Sequence, residues 1–263
     1  MRPSLSIISC VSGRLGLFVK HLDALATQDA AADCEYIVGT WEEDAGHREA
    51  LKARKNRFAA ACVVSVATDR WWPLPLAYNA ALGQATSERL LIVGSDIVVC
   101  EGLLRWAMER PEGDIAWCFR VVREDGMEIV GPKRRIAIPF CMTLPARPVR
   151  EMGGWDTAFC DGPCYDDNDF AARLLLAGAV YRWCDRFTNV HLSHPRFGGK
   201  ERRARSRRNE AIWRKRIAER SGSLWPIQGD GQPPEGVEGD GIEYQMSLRQ
   251  MLIEWSYPGK ASG

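Results

Sequence analysis

The chain has 263 residues, about 1.75 domains at roughly 150 residues each, so it is one large domain or a domain with an appendage. Hydrophobic residues make up 46% and charged residues 26%, ordinary globular usage that excludes collagen-like, low-complexity and wholly disordered chains. Lys and Arg number 35 against 34 Asp and Glu, a formal net charge of +1 that by itself argues against a polyanionic partner.

Leu5 to Val11 is a short apolar, β-rich run, and Gly13 to Gln28 then sets Leu15, Val19, Leu22 and Leu25 at helical spacing. Tyr36–Val38 is a second predicted strand, Glu49–Ala60 a helix and Cys62–Val66 a third strand. After a Trp71-Trp72-Pro73 turn, Leu76–Ala85 reads as a helix and Arg89–Val93 as a fourth strand. Strands alternating with helices predict an α/β protein built of parallel βαβ units, whose ligands bind beyond the carboxyl ends of the strands. Gly94-Ser95-Asp96 delivers a carboxylate to that edge. Ile115–Val122 is a further strand, and Arg134–Thr143 returns to the sheet.

Gly153-Gly154-Trp155-Asp156 leads to a helix ending at Gly178, with Phe170, Leu174 and Ala177 on one face and Asp166, Asp167 and Asp169 in its first turn. Capping uses one or two of these carboxylates. The third, Asp167, is expected to project into the cleft while Asp169 and Arg173 orient the turn. The helix N-terminus is expected to hold Asp167 ionised and ready to accept a proton.

The order of these segments resembles a glycosyltransferase of the GT-A fold, most like glycosyltransferase family 2, over roughly residues 4 to 195. SIISCVSGR and the following helix resemble the opening strand and loop that hold the nucleotide base, which makes Ser9 and Val11 donor-binding. Ala77 to Ala85, containing Asn79, resembles the helix after the donor site that leads into Arg89–Asp96. The Gly-Gly-Trp-Asp loop and Asp166-Asp167-Asn168-Asp169-Phe170-Ala171-Ala172-Arg173 resemble the acceptor-side loop and the Glu-Asp-x-Asp-Leu-x-x-Arg motif. Val190-His191-Leu192-Ser193-His194 resembles the late strand that supplies a metal-binding His.

The resemblance implies a metal-dependent, inverting transfer of a sugar from a nucleotide-diphosphate donor to a hydroxyl acceptor. It makes Asp167 the general base, Ser95 and Asp96 donor-binding, and Asp96 the metal carboxylate, with His191 or His194 completing the shell. Imidazole in that shell suits Mn2+ better than Mg2+. Asp166, Gly154 and Trp155 fall to the acceptor or sugar, Trp155 by stacking on a pyranose face, whereas Trp71 and Trp72 read as packing. Two positions depart from the family pattern. Gly94 stands where the first Asp of Asp-x-Asp is usual, and the second strand leads into Gly39-Thr40-Trp41-Glu42-Glu43-Asp44 without the usual Asp at its end; Trp41, Glu42 or Asp44 could replace it.

The near-neutral total hides an asymmetry. Arg196 to Arg220 holds eleven cations against Glu201, Glu210 and Glu219, a net of +8, which leaves −7 on the remainder. This stretch, within residues 196–227, reads as a basic helical lid or extension of a catalytic domain at 1–195, and Asn209, Trp213 and Lys215 fall where a lid would lie. It could also meet a DNA backbone or an anionic membrane surface. Residues 228–263 read as a Gly/Pro-rich linker over 228–241, a short amphipathic helix over Ile242–Trp255 that could dock on the catalytic domain or on another subunit, and a frayed end. Nine dispersed cysteines read as reduced thiols, Cys160 and Cys164 lack the second pair of a zinc site, and MRPSLSIISC reads as a first strand rather than a signal peptide. With no apolar stretch of about 18 residues, the expectation is a cytoplasmic enzyme without an integral membrane segment. Two other readings stand beside it: a glycosyltransferase acting on hydroxymethylated bases of DNA, and a catalytically silent nucleotide-sugar-binding protein.

Overall fold

Three strands buried along their whole length form the middle of the sheet: β1 (Leu5–Cys10), β2 (Cys34–Thr40) and β4 (Arg89–Val93). Strands without a solvent face read as continuous apolar runs, which is why LSIISC and RLLIV show no alternation. The computed structural model describes residues 2–42, 45–109, 113, 115–131, 138–195, 199–224 and 243–245. The other strands are β3 (Ala60–Ser65), β5 (Ile97–Val98), β6 (Ile115–Arg123), β7 (Glu128–Val130), β8 (Cys141–Pro145), β9 (Val180–His191) and β10 (Glu243–Gln245). The helices are α1 (Leu15–Ala26), α2 (Ala45–Lys52), α3 (Leu74–Gln84), α4 (Leu103–Glu109), α5 (Ala146–Glu151), α6 (Asp166–Leu176) and α7 (Lys200–Leu224).

Across the sheet the order is β3-β2-β1-β4-β8-β6-β9-β10, with β5 also on β9 and β7 on β6. β3, β2, β1 and β4 run parallel, as the βαβ reading requires. β8 enters antiparallel between β4 and β6, and β6 runs parallel to β9 with a bulge between Phe119 and Arg120. The pairing that matters most for the cleft is short. β5 lies antiparallel to β9 with Ile97 opposite His191, and the Leu192 N–H donates to the Asp96 carbonyl at 2.8 Å.

Two buried polar side chains brace that junction. His21 on α1 lies 2.6 Å through Nδ1 from the Ile97 carbonyl, and its Nε2 meets Ser9 Oγ at 3.1 Å and Tyr36 Oη at 3.0 Å. Burial pushes the His21 pKa down to about 4, so the ring is neutral near pH 7. Asn189 accepts from the Cys100 N–H at 2.9 Å and donates to the Arg120 carbonyl at 3.0 Å, tying β9 to the segment after β5 and to β6. At the amino ends of the strands, the buried Glu35 side chain receives Ser6 Oγ, Thr86 N and Thr86 Oγ1, a structural contact far along β2 from its carboxyl end.

Several predicted boundaries move. The helix expected over Glu49–Ala60 runs Ala45–Lys52, followed by a 3-10 turn at Lys55–Arg57. The late strand expected from Val190 begins at Val180, and α4 had no counterpart in the prediction. Of the expected Arg134–Thr143 return, residues 134–137 lie outside the described residues, and the observed strand is Cys141–Pro145. Only Glu243–Gln245 of the predicted Ile242–Trp255 helix is described, and those three residues form a strand paired with Arg182–Cys184, because their backbone completes the exposed edge of β9. The linker at 228–241 and the end at 257–263 lie outside the described residues. Among the described residues, no helix is long and apolar enough to cross a membrane.

Gly39, near the end of β2, lets α3 close on the sheet: a Cβ there would lie far inside van der Waals contact of the Ala77 carbonyl and against Cys10 Sγ. Gly39→Ala is therefore expected to lower unfolding free energy by about 1–3 kcal/mol. Urea denaturation checks this, and an unchanged midpoint would show that α3 does not seat so closely.

Candidate active site

At the carboxyl edge of the sheet a cleft of about 290 Å³ is lined by the β1–α1 loop, the turn after β4 and the start of α6. One pole of it is the turn Gly94-Ser95-Asp96. The β5–β9 pairing brings the end of β9 against this turn, so His191 Nε2 lies 3.5 Å and His194 Nε2 3.2 Å from the same Asp96 Oδ2. Arg14, from the β1–α1 loop, places Nη1 3.3 Å from that oxygen and 3.1 Å from His194 Nε2. Burial would raise the Asp96 pKa, but the His191 hydrogen bond and the charges of His191, His194 and Arg14 outweigh it, and the net shift is downward. Asp96 is thus a carboxylate throughout the neutral range. One carboxylate oxygen and two imidazole nitrogens, all within 4.8 Å of one another, fit a first-row divalent cation.

The other pole is the first turn of α6, where three aspartates have three different surroundings. Asp169 is buried and satisfied: Arg173 Nε donates to it at 2.6 Å and Arg216 Nη1, from α7, at 3.2 Å. Asp166 and Asp167 line the cleft instead. Asp166 is buried, and its Oδ2 has no hydrogen-bond partner among the described residues. Burial pushes its pKa up to about 6, with the Asp169 charge adding to the rise. Burial, then the Asp166 charge, push Asp167 well above the usual carboxylate range. The helix N-terminus was expected to lower the Asp167 pKa; the shift is upward instead, because desolvation and the Asp166 charge outweigh the dipole.

This turn is held from both sides. Cys164 and Tyr165, immediately before it, adopt left-handed φ of 73° and 67°, a costly conformation for two successive non-glycine residues. Asn209 of α7 is fully buried and donates to the carbonyls of Phe159, Gly162 and Cys164, while Arg216 Nη1 bridges Asp156 and Asp169. Trp213, also on α7, is buried. Asn209, predicted to fall in a lid, ties α7 to the loop that leads into the aspartates. At least five cations of the basic stretch hold carboxylates of the chain itself: Arg205 on Glu201, Arg208 on Asp161, Arg214 on Glu210, Lys215 on Glu219 and Arg216 on Asp156. Arg202 lines the cleft, and Lys200, Arg203 and Arg207 are exposed.

Of the sequence-predicted site residues, Ser95, Asp96, Asp166 and Asp167 line one cleft, with His191 and His194 on Asp96. Others lie elsewhere. Ser9 is fully buried on His21, and Val11 is buried with its N–H on the Gly39 carbonyl at 2.9 Å. The pleat puts their neighbours Cys10 and Ser12 on the cleft side instead. Asn79 is a clamp: its amide exchanges two hydrogen bonds, of 2.7 and 2.8 Å, with the Trp155 backbone. A Cβ on Gly154, whose φ is +70°, would collide with Asn79 Oδ1. Asn79 and Gly154 border a separate shallow hollow. Trp155 is buried between Tyr78 and Phe170, with ring centroids 4.3 and 4.1 Å away, so it is core and not a sugar platform. Trp41, Trp72, Tyr78 and Phe140 give the cleft its aromatic lining; Trp41 and Trp72 lie 6.2 Å apart, and the Trp72 indole N–H has no partner among the described residues. Arg14 had no sequence signal beyond its place in a loop at the ligand edge.

No protein-family model matches the sequence, and no curated protein matches it. Solved structures do. A mannosyltransferase from Pyrobaculum calidifontis, PcManGT, in complex with GDP-Man and Mn2+, matches with a TM-score of 0.65 at 17% identity, over 98% of this chain and 70% of its own. Residues 1-349 of S. aureus TarS match at 0.57 and 14% identity, over 89% of this chain and 77% of theirs. The same fragment in complex with UDP-GlcNAc matches at 0.58 and 14%, over 89% and 78%. The chain therefore shares the α/β GT-A fold of these structures.

A carboxyl whose folded pKa is raised stabilises the protein below its unfolded pKa, near 3.9, and that contribution is lost as pH rises through the folded value, here about 6. Relative to Asp166→Asn, the wild-type chain is expected to lose on the order of 2 kcal/mol between about pH 4 and pH 7. Urea denaturation across that range reads the difference, and parallel pH profiles for the two proteins would contradict the burial argument.

Proposed function

We propose that this chain is an inverting glycosyltransferase that moves a sugar from a nucleotide-diphosphate donor to a hydroxyl of a glycan, lipid or protein. The observation that carries this reading is the opposition, within one cleft of a GT-A fold, of an ionised carboxylate with cationic neighbours and a carboxyl pair with raised proton affinity. Environments that push carboxyl pKa values apart divide the labour between binding charge and moving protons. The diphosphate belongs at the Asp96 pole, where the backbone of Gly94 and Ser95 and the side chains of Arg14 and Arg202 line the cleft. Asp96 with His191 or His194 would hold a divalent cation, Mn2+ in preference to Mg2+, which supplies positive charge against the leaving diphosphate.

At the other pole, Asp167 accepts the proton of the acceptor hydroxyl. The acceptor oxygen bonds to the anomeric carbon from the face opposite the diphosphate, and the electron pair of the broken C–O bond leaves with the diphosphate, inverting the configuration. Raised proton affinity strengthens Asp167 as a base once it is ionised. Asp166 supports it as a like charge that keeps proton affinity high, and its unpartnered Oδ2 can accept a sugar hydroxyl. Trp41 and Trp72 offer apolar faces to a base or a pyranose, and the Trp72 N–H a donor. All nine cysteines are free thiols, which fits a reducing, cytoplasmic compartment.

Asp167→Asn is expected to reduce transfer by roughly 10²–10⁴-fold with nucleoside diphosphate binding nearly unchanged. Labelled-donor turnover paired with calorimetry checks both halves, and full turnover in the variant would remove Asp167 as base. A pure nucleotide-sugar binder would show neither transfer nor donor hydrolysis in the wild type. Asp96→Ala should abolish the Mn2+-dependent tightening of nucleotide binding; an unaltered titration counts against Asp96 as ligand. The acidic limb of kcat is expected above the ordinary Asp range near 3.9 and should move down in Asp166→Asn, because a like charge beside Asp167 is gone. A limb that stays in place would show that Asp166 does not act on the titrating base.

A further inference from the structure

Arg14 sits in a loop built to aim it. Gly13 and Arg14 both take left-handed φ, 57° and 53°, and the Arg14 carbonyl accepts the first N–H groups of α1, from Leu17 at 2.9 Å and Phe18 at 3.1 Å. The buried His47 meets the Gly13 carbonyl through Nε2 at 2.7 Å, which fixes the preceding peptide. From this position the guanidinium reaches two cation ligands together, Asp96 Oδ2 and His194 Nε2.

Both atoms that Arg14 meets are ones a cation would need: Nη1 lies 3.3 Å from Asp96 Oδ2 and 3.1 Å from His194 Nε2. Arginine only donates, so a lone pair engaged by the guanidinium is not open to a metal ion at the same time. Asp96 Oδ2 also lies 3.5 Å from His191 Nε2 and 3.2 Å from His194 Nε2. With Gly94 at the first position of the turn, no second carboxylate stands there to hold a cation apart from Arg14.

We propose that Arg14 is a built-in competitor of the divalent cation, occupying Asp96 and His194 until a nucleoside diphosphate draws the guanidinium onto its phosphate oxygens. A guanidinium matches phosphate with two parallel donors, so transfer from a single carboxylate oxygen to a diphosphate is favourable. Diphosphate binding then frees both protein ligands, and cation and nucleotide load together. Because coupling is reciprocal, Mn2+ tightens nucleotide binding by the same factor that nucleotide tightens Mn2+ binding.

The coupled part of this proposal rests on the reading of the cleft as a nucleotide-diphosphate site; the competition between Arg14 and the cation does not. The test is direct Mn2+ binding, followed by the electron paramagnetic resonance signal of the free ion, in the wild type, Arg14→Ala and Arg14→Gly. The Gly variant accommodates the left-handed φ of 53°, which strains Ala, and so keeps the loop intact. Without nucleotide, both variants are expected to bind Mn2+ at least about 5-fold more tightly than the wild type. Adding UDP or GDP should tighten Mn2+ in the wild type by at least about as much, and in the variants by less. Equal or weaker Mn2+ binding in the variants, or no Mn2+ binding by any of the three, overturns the proposal. Tighter Mn2+ binding in the variants together with no donor turnover by the wild type would overturn the glycosyltransferase reading and leave the Arg14 competition standing.

Discussion

The cleft depends on a two-residue strand pairing. Asp96 and His191 are 95 positions apart in the sequence and meet because β5 lies against the end of β9, with Ile97 opposite His191 and the Leu192 N–H on the Asp96 carbonyl. So short a ladder has little stability of its own. His21 under the Ile97 carbonyl and Asn189 on the Cys100 N–H supply what it lacks, each from a fully buried position. Loss of this register would carry the imidazoles away from the carboxylate, and the cluster of Asp96, His191 and His194 would disperse.

A second constraint works at the opposite wall. Asp166, Asp167 and Asp169 share one helical turn, yet Asp169 is neutralised by two arginines while Asp166 and Asp167 face a cleft that raises their proton affinity. The difference comes from α7, which brings Arg216 to Asp169 and Asn209 to the carbonyls of the preceding loop. The basic character of α7 thus acts largely within the molecule. Its Arg216 ion pairs help fix the turn that carries Asp166 and Asp167.

The fold was legible where burial was uniform. β1 and β4 are apolar runs between turns, and they read as strands directly. β9 did not, since Arg182, Asp185 and Arg186 interrupt its apolar pattern and the bulge opposite Phe119 breaks the period. In the site, the carboxylates and histidines were legible because their spacing follows a known constellation and their chemistry is rarely idle at a strand end. Which neighbours face the cleft was not. A one-residue step along β1 exchanges Ser9 for Cys10, and whether Trp155 or Trp72 meets a ligand depends on Tyr78 and Phe170 claiming the former. Arg14 required a left-handed backbone and a partner 180 residues away, neither of which a local pattern contains.

If one edge of the GT-A sheet holds a diphosphate and a divalent cation on Asp96, across the cleft from Asp167, a crystal of the chain grown with Mn2+ and a nucleoside diphosphate and measured at the manganese absorption edge will show it. The expected result is an anomalous peak bonded to Asp96 and to His191 or His194, with the diphosphate on it and Asp167 facing the vacated sugar position. Nucleotide density with its phosphates away from Asp96, or a manganese peak bonded to other residues, would contradict it.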